Sequence, residues 1–241
     1  MKMENRALSP LKESHSSQSF LSNFILGSQD GLVNVLGILL GVSAATNDVK
    51  LIYVAALAAL GAESISMGAV AYTSTVAKRR QYMKEVSREQ LEMKQVSAIE
   101  LEEVRGILKK WGYEGVELDS LTNKIASNPK AWLEFMMSFE LKLAPVEKGE
   151  ARRSFAVVLA STVIGSIIPL IPFFFVTAAT ISSGAIASVI LSGTLLFFIG
   201  AYEARTTVGS MWRSGLQMML IGLSAGFAGY LIGRLIGAVP V

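Results

Sequence analysis

The sequence predicts an all-α membrane protein: five transmembrane helices, with a cytoplasmic helical insert between the second and third. Three observations predict it. Five stretches, 24–46, 51–76, 154–176, 183–203 and 214–238, are apolar over a length that can cross a bilayer, for which a helix needs about 20 residues. Most of the Lys, Arg, Asp and Glu fall instead in 78–153. Every Lys and Arg except Lys50 and Arg234 lies in 1–23, 78–153 or 204–213, and by the positive-inside rule those three segments face the cytosol. The basic excess thus reports membrane orientation rather than a nucleic-acid partner.

The elements follow in order. Residues 1–22 lack an apolar core segment and read as a mobile polar tail, so the first span acts as its own insertion signal. Residues 23–78 hold the first two spans, 79–150 the insert and 151–241 the last three spans. No cysteine is present, which excludes disulfides and thiolate metal sites. The single histidine, His15, lies in the tail and has no assigned role.

From Ala69 to Arg105 there is neither glycine nor proline, so the second span is expected to continue as one helix into the insert. Ser97 and Glu100 have the spacing of a capping box, which starts a second insert helix near Ala98; Gly112 stops it. Asp119 or Ser120 is expected to cap a short third helix. Asn128-Pro129 opens a fourth, through "KAWLEFMMSFELKL", ended by Pro145.

The acids of the insert have an order. Glu85, Glu89 and Glu92 fall on one face of the first helix, and Glu100 and Glu103 on one face of the next. Met136, Met137 and Glu140 share a turn of the last. Such residues make either a solvated face balanced by Lys and Arg or a divalent-cation site. Carboxylates with thioethers, and neither Cys nor His, suit Fe(II) or Mn(II) rather than a structural zinc, although a methionine on an amphipathic helix is more often packing than ligand.

Polar groups also stand inside the spans. Asp30 lies in "NFILGSQDGLVNVLGILLG", and a charge at that depth costs roughly 2.5–3.5 kcal/mol. At 100° per residue, Gly27, Asp30, Gly31, Asn34, Gly37 and Gly41 fall within about 120° of arc, either a tight helix contact or the wall of a polar pathway. On the second span, Ser66, Met67 and Ser74 flank the direction of Glu63. Counted at 1.5 Å per residue from the inner surface, Asp30, Met67 and Glu63 form steps at about 10, 15 and 21 Å. Pro169 and Pro172 predict a kink in the third span. Gly222, Gly226, Gly229, Gly233 and Gly237 predict a packing face on the fifth. Glu203 and Arg205 read as an interfacial pair.

Four motifs in this order, "ILGSQDGLV", "ISMGAVAY", "NPKAWLEFMMSFEL" and "IGSIIPLIPF", resemble the vacuolar iron transporter family from about Phe20 to Gly233. The resemblance implies a five-span homodimer with its ion path between protomers, exporting Fe(II) from the cytosol against protons. It maps the family's metal-binding residues onto Glu89, Glu92, Glu100, Glu103 and Glu140 with Met136 and Met137, and its pathway residues onto Asp30 and Met67. The family's glutamate eight residues before the motif methionine falls at Ala59 here, and Glu63, one turn later on nearly the same face, stands as its relocated equivalent.

The expected function is therefore export of Fe(II), with Mn(II) and other divalent ions as further substrates, by proton antiport and with no prosthetic group. Asp30, Glu63, Met67 and Asn34 line the pathway. The alternative is a membrane-bound sensor or buffer that binds metal without moving it, which gives no reason for acids at membrane depth. An intramembrane enzyme is disfavoured: there is no HExxH and no catalytic aspartate pair. The membrane is the plasma membrane in a prokaryote and the vacuolar membrane in a eukaryote.

Overall fold

The computed structural model describes residues 15–206 and 209–237, which are mostly helical with no strand among them. Of the mobile tail expected over 1–22, residues 1–14 lie outside the described residues, and 15–22 are corrected to the start of the first helix. Eight α-helices follow one another: α1 His15–Ala45, α2 Val49–Gln95, α3 Ser97–Lys110, α4 Gly115–Ala126, α5 Pro129–Phe135, α6 Glu150–Leu170, α7 Ile181–Thr206 and α8 Met211–Gly237. A π-helical turn, Met136–Glu140, extends α5, and 3₁₀ turns at Ile171–Phe175 and Ala178–Thr180 join α6 to α7. Among the described residues, five helical segments are long and apolar enough to cross a membrane: Phe20–Ala45, Val49–Gln95, Glu150–Phe175, Ala178–Thr206 and Met211–Gly237. The chain divides into two compact units, one of residues up to Ala71 and from Arg153 onward, the other Tyr72–Arg152.

In the first unit backbones pack on backbones. A Cβ placed on Gly229 would lie 2.3 Å from the carbonyl oxygen of Gly37, and one on Gly233 only 1.9 Å from that of Gly41. The small-residue face of α8 is therefore seated on the glycines of α1. On its other flank α1 meets α6 as closely: a Cβ on Gly165 would lie 2.0 Å from the Ser28 carbonyl oxygen, and one on Gly31 2.3 Å from that of Thr162. Lipid tails are as apolar as the helices, so close van der Waals contact between small residues drives this association.

The buried hydroxyls at that contact are satisfied within their own helices, as an apolar surrounding demands. Ser28 donates to Phe24 O at 2.8 Å, Ser161 to Val158 O at 3.0 Å and Thr162 to the same carbonyl at 2.8 Å. Pro169 sits inside α6 near its end, where the helix tightens into the 3₁₀ turn containing Pro172. The freed carbonyls there find partners on other helices: Ser188 donates to Pro169 O at 2.6 Å and the Tyr53 hydroxyl donates to Phe173 O. Val35, Leu39, Ile52, Ala56, Leu170, Phe173 and Ile181 close around this point as one buried cluster.

The second unit has its own core, Val104, Leu108, Leu118, Trp132, Phe135 and Met136. Several sequence expectations hold here. α2 is unbroken for 47 residues. α3 ends just before Gly112, whose φ of +93° suits a residue without Cβ. Asn128 caps α5 through its side-chain oxygen, which accepts from Lys130 N at 3.1 Å and Ala131 N at 3.3 Å.

Three expectations are corrected. Ser97 forms no capping box: Val96 is the N-cap and no side-chain cap bond is made, because Glu100 turns inward. α4 starts at Gly115, before Asp119, whose carboxylate instead takes Arg105 at 2.8 Å. The last helix ends at Glu140 rather than running to Pro145, because the π-helical turn exhausts it.

The contact of α1 with α6 leaves no room for a methyl group against backbone atoms, whereas Gly106, exposed in α3, has nothing within 4 Å of an added Cβ. Gly165→Ala is expected to cost about 1–3 kcal/mol through overpacking. Gly106→Ala is expected to gain up to about 1 kcal/mol of helix propensity. Thermal scans of the detergent-solubilised protein, followed by size-exclusion monodispersity, should separate the two in opposite directions. Equal melting of Gly165→Ala and the parent would contradict the close approach.

Candidate metal centre

The second unit brings three carboxylates together from three elements. Glu89 comes from α2, Glu100 from the first turn of α3 and Glu140 from the end of the π-helical turn. One carboxylate oxygen of each lies within 4.8 Å of the others. Glu89 is 1% exposed and Glu100 4%. Each of the three has an Oε2 that is buried with no hydrogen-bond partner.

Local structure explains the placement. Glu100, Val104 and Leu108 follow one another at i, i+4 and i+8 along one face of α3, so packing of Val104 and Leu108 into the core carries Glu100 inward, beside Glu89 of α2. The π turn, with Leu141 N bonded to Met136 O at 3.1 Å, winds an extra residue into the last turn and so re-aims Glu140. Such turns are frequent at functional sites. Phe139 beside it is held by an edge-on contact with Trp111 at 4.8 Å and a tilted one with Phe135 at 5.0 Å. The aromatic trio thereby ties the end of α3 to the turn that presents Glu140.

The electrostatics are those of an anion cluster short of counter-charge. Burial first, then the neighbouring carboxylates Glu140, Glu100 and Glu92, pushes Glu89 up to about 7, against the lowering effect of Arg88. Burial, then Glu103 and Glu100, pushes Glu140 up to about 7. Glu100 is raised by burial and then by Glu103 and Glu92. Arg88 is the cation that acts on all three, and it is already engaged, with Glu92 at 3.1 Å and Glu85 at 3.4 Å.

The sequence-predicted set therefore divides. Glu89, Glu100 and Glu140 form the inner group. Glu92 and Glu103 act on it from a half-exposed rim, Glu92 while paired to Arg88. Met136 is buried in the apolar core, which accounts for its burial by packing. Met137 is 2% exposed and stands outside that cluster, in the same π turn as Glu140. Neither the π turn nor the engagement of Arg88 was read from the sequence, although Arg88 stands one turn from both Glu85 and Glu92.

In the first unit a second polar group forms between α1 and α2. The Asn34 side-chain amide donates to the Glu63 carboxylate, and Asp30 lies within hydrogen-bonding and Coulombic range of the same carboxylate. The expected ladder of depths is thus corrected: Asp30 and Glu63 stand side by side rather than about 11 Å apart. The short turn from Thr46 to Asp48 sets the register. Measured from it, Asn34 and Glu63 are roughly 17 and 21 Å along their helices, close to level. Met67 follows Glu63 by one turn and is half-buried. The small residues of the α1 arc serve packing, Gly27 and Gly31 on α6 and Gly37 and Gly41 against α8, which leaves Asp30 and Asn34 as its polar members. Ser64, beside Glu63, has a buried Oγ without a partner, a group that the facial pattern did not single out.

Known proteins resemble this chain in sequence. The VIT family model matches residues 21–234. The chain is 32% identical to "Vacuolar iron transporter 1" of Eucalyptus grandis, over 94% of this chain and 91% of that protein. It is 33% identical to "Vacuolar iron transporter 2" of Oryza sativa subsp. japonica, over 91% of each. Similarity extends to "Protein CCC1" of Saccharomyces cerevisiae, 24% identical over 90% of this chain and 69% of that one.

Raised carboxyls have a consequence for stability. Glu89 and Glu140 bind protons more tightly in the fold than the ordinary value of 4.5. The stabilisation they supply is full below that value and is lost as pH rises through about 7. The metal-free protein is expected to melt at a lower temperature at pH 8 than at pH 6, and Mn(II) to close the gap. The Glu89→Gln/Glu140→Gln variant should lose both the pH slope and the Mn(II) effect in the same thermal scan. An unchanged slope would place the titration elsewhere.

Proposed function

This chain belongs to the VIT family, and on that footing we propose that it exports Fe(II), and also Mn(II), from the cytosol across its membrane in exchange for protons. The observation that carries the proposal is the inner carboxylate trio with its three unpartnered buried oxygens. Buried like charges need a cation or protons between them, and an all-oxygen donor set favours Mn(II) and Fe(II) over ions that prefer sulfur. Glu89, Glu100 and Glu140 hold the metal, Glu92 and Glu103 attract it at the rim, and Met137 offers a thioether beside them. The trio gives up protons as the cation arrives.

Passage then uses Asp30, Asn34, Glu63 and Met67. A sensor would have no use for Asp30 and Glu63 at membrane depth, since intramembrane acids are costly and mark ion or proton routes. Cation and proton take turns at these carboxylates, which couples their opposite movements. Asn34 is exposed on the single chain, and the apolar window of α2 is only 17% buried. Polar groups at membrane depth are tolerated where protein or a water-filled cavity covers them. A second copy of the chain, meeting the first across this face, supplies that cover and places the path between protomers. The basic flanks of the 78–153 segment orient the trio toward the cytosol.

Two measurements test this reading. In proteoliposomes loaded with a pH-sensitive dye, Fe(II) or Mn(II) flux is expected to move protons the opposite way and to accelerate under an imposed proton gradient. Metal flux without proton movement would leave a passive channel. Asp30→Asn, which keeps size and hydrogen bonding but removes the charge, is expected to lower flux by at least about tenfold, the loss set by about 1.4 kcal/mol in a barrier. Mn(II) stabilisation of the same variant in thermal scans should match the parent. Parental flux in Asp30→Asn would reduce the residue to a packing element.

A further inference from the structure

The second unit holds a cavity that the metal centre does not use. Its volume is about 630 Å³, within the roughly 300–1,000 Å³ range of ligand sites. One wall is a single stripe of α2, in which Tyr72, Thr75, Arg79 and Arg80 recur at helical spacing; the other includes Glu147 and Arg152 around the start of α6. Three guanidinium groups thus face one carboxylate.

These arginines differ from their neighbours. Arg88 and Arg105, in the same unit, have carboxylate partners at 3.1 and 2.8 Å. Arg79, Arg80 and Arg152 have no carboxylate in ion-pair range among the described residues. Guanidinium groups gathered around one space repel each other unless an anion joins them. Their planar forks fit phosphate oxygens in pairs, which ammonium groups do not.

Position supplies the second argument. Tyr72 and Thr75 belong to the last turns of the apolar run of α2, and Arg79 and Arg80 come directly after it. Arg152 stands just before the charge-free run of α6 begins at Ser154. Both walls therefore cross from apolar to basic at the level where lipid headgroups lie, with a tyrosine at the boundary. Basic pockets at that level of helical membrane proteins take anionic headgroups.

We propose that this cavity binds the phosphate of an anionic phospholipid headgroup, held by Arg79, Arg80 and Arg152 with the Tyr72 hydroxyl on the apolar side. A zwitterionic lipid is disfavoured, because its own ammonium would enter a space with three positive charges. The site is separate from the carboxylate trio and independent of the transport reading.

The test uses the full-length protein, delipidated in a neutral maltoside detergent. Dihexanoyl phosphatidylglycerol is titrated against melting temperature, with dihexanoyl phosphatidylcholine and inorganic phosphate in parallel. The expected result is a saturable rise with phosphatidylglycerol alone, weakened by raised salt. In R79Q/R80Q/R152Q the half-saturating concentration should increase about tenfold or more, because basic residues near a lipid surface attract anionic headgroups. The charge-matched control K109Q/K110Q/K124Q, altered elsewhere in the same unit, should bind as the parent does. R79K/R80K/R152K, which keeps charge but loses the planar fork, is expected to be weakened several-fold, and it decides the matter if the glutamine variant is not monodisperse. Parental binding in the arginine variants, an equal loss in the control, or an equal shift with inorganic phosphate would each overturn the proposal.

Discussion

A carboxylate removed from water needs a proton, a cation or a donor, and both units of this protein are organised by that requirement. In the Tyr72–Arg152 unit the need is left open: Glu89, Glu100 and Glu140 converge with three unpartnered oxygens and one occupied arginine nearby. In the other unit it is met in part, by the amide of Asn34 on Glu63. Buried carboxylates left without partners cost stability unless a proton or a cation meets them.

The scaffold around each group serves its placement. The apolar core of Val104, Leu108, Leu118, Trp132, Phe135 and Met136 decides which face of α3 is inward, and hence that Glu100 is. The π turn and the Trp111–Phe139 contact decide the aim of Glu140. In the spans, contacts of glycine with backbone bring α1 against α6 and α8. Side chains larger than hydrogen there would push the helices apart and shift the level at which Asp30 meets Glu63.

Much of this was legible in the sequence. The five spans follow from uninterrupted apolar length, the continuity of α2 from the lack of glycine and proline, and the start of α5 from Asn128-Pro129. The candidate acids were also legible as facing pairs at helical spacing. Other features were not. The Ser97–Glu100 spacing is that of a capping box, yet Glu100 is buried beside Glu89. The arc of glycines on α1 reads as one face, but its members serve two different neighbours.

Sequence by itself determined which segments are helical and apolar, where the charge lies and which residue types are available to a cation, because those depend on composition and on periodicity within one helix. Tertiary structure decided which acids meet. Helical period fixes a residue's direction only relative to its own helix, so the trio from α2, α3 and the π turn exists only once the core has set the rotation of each element. The level of Asp30 with Glu63 was likewise decided by the turn from Thr46 to Asp48, since the register between two helices is a property of their connection and contact, which neither sequence pattern contains.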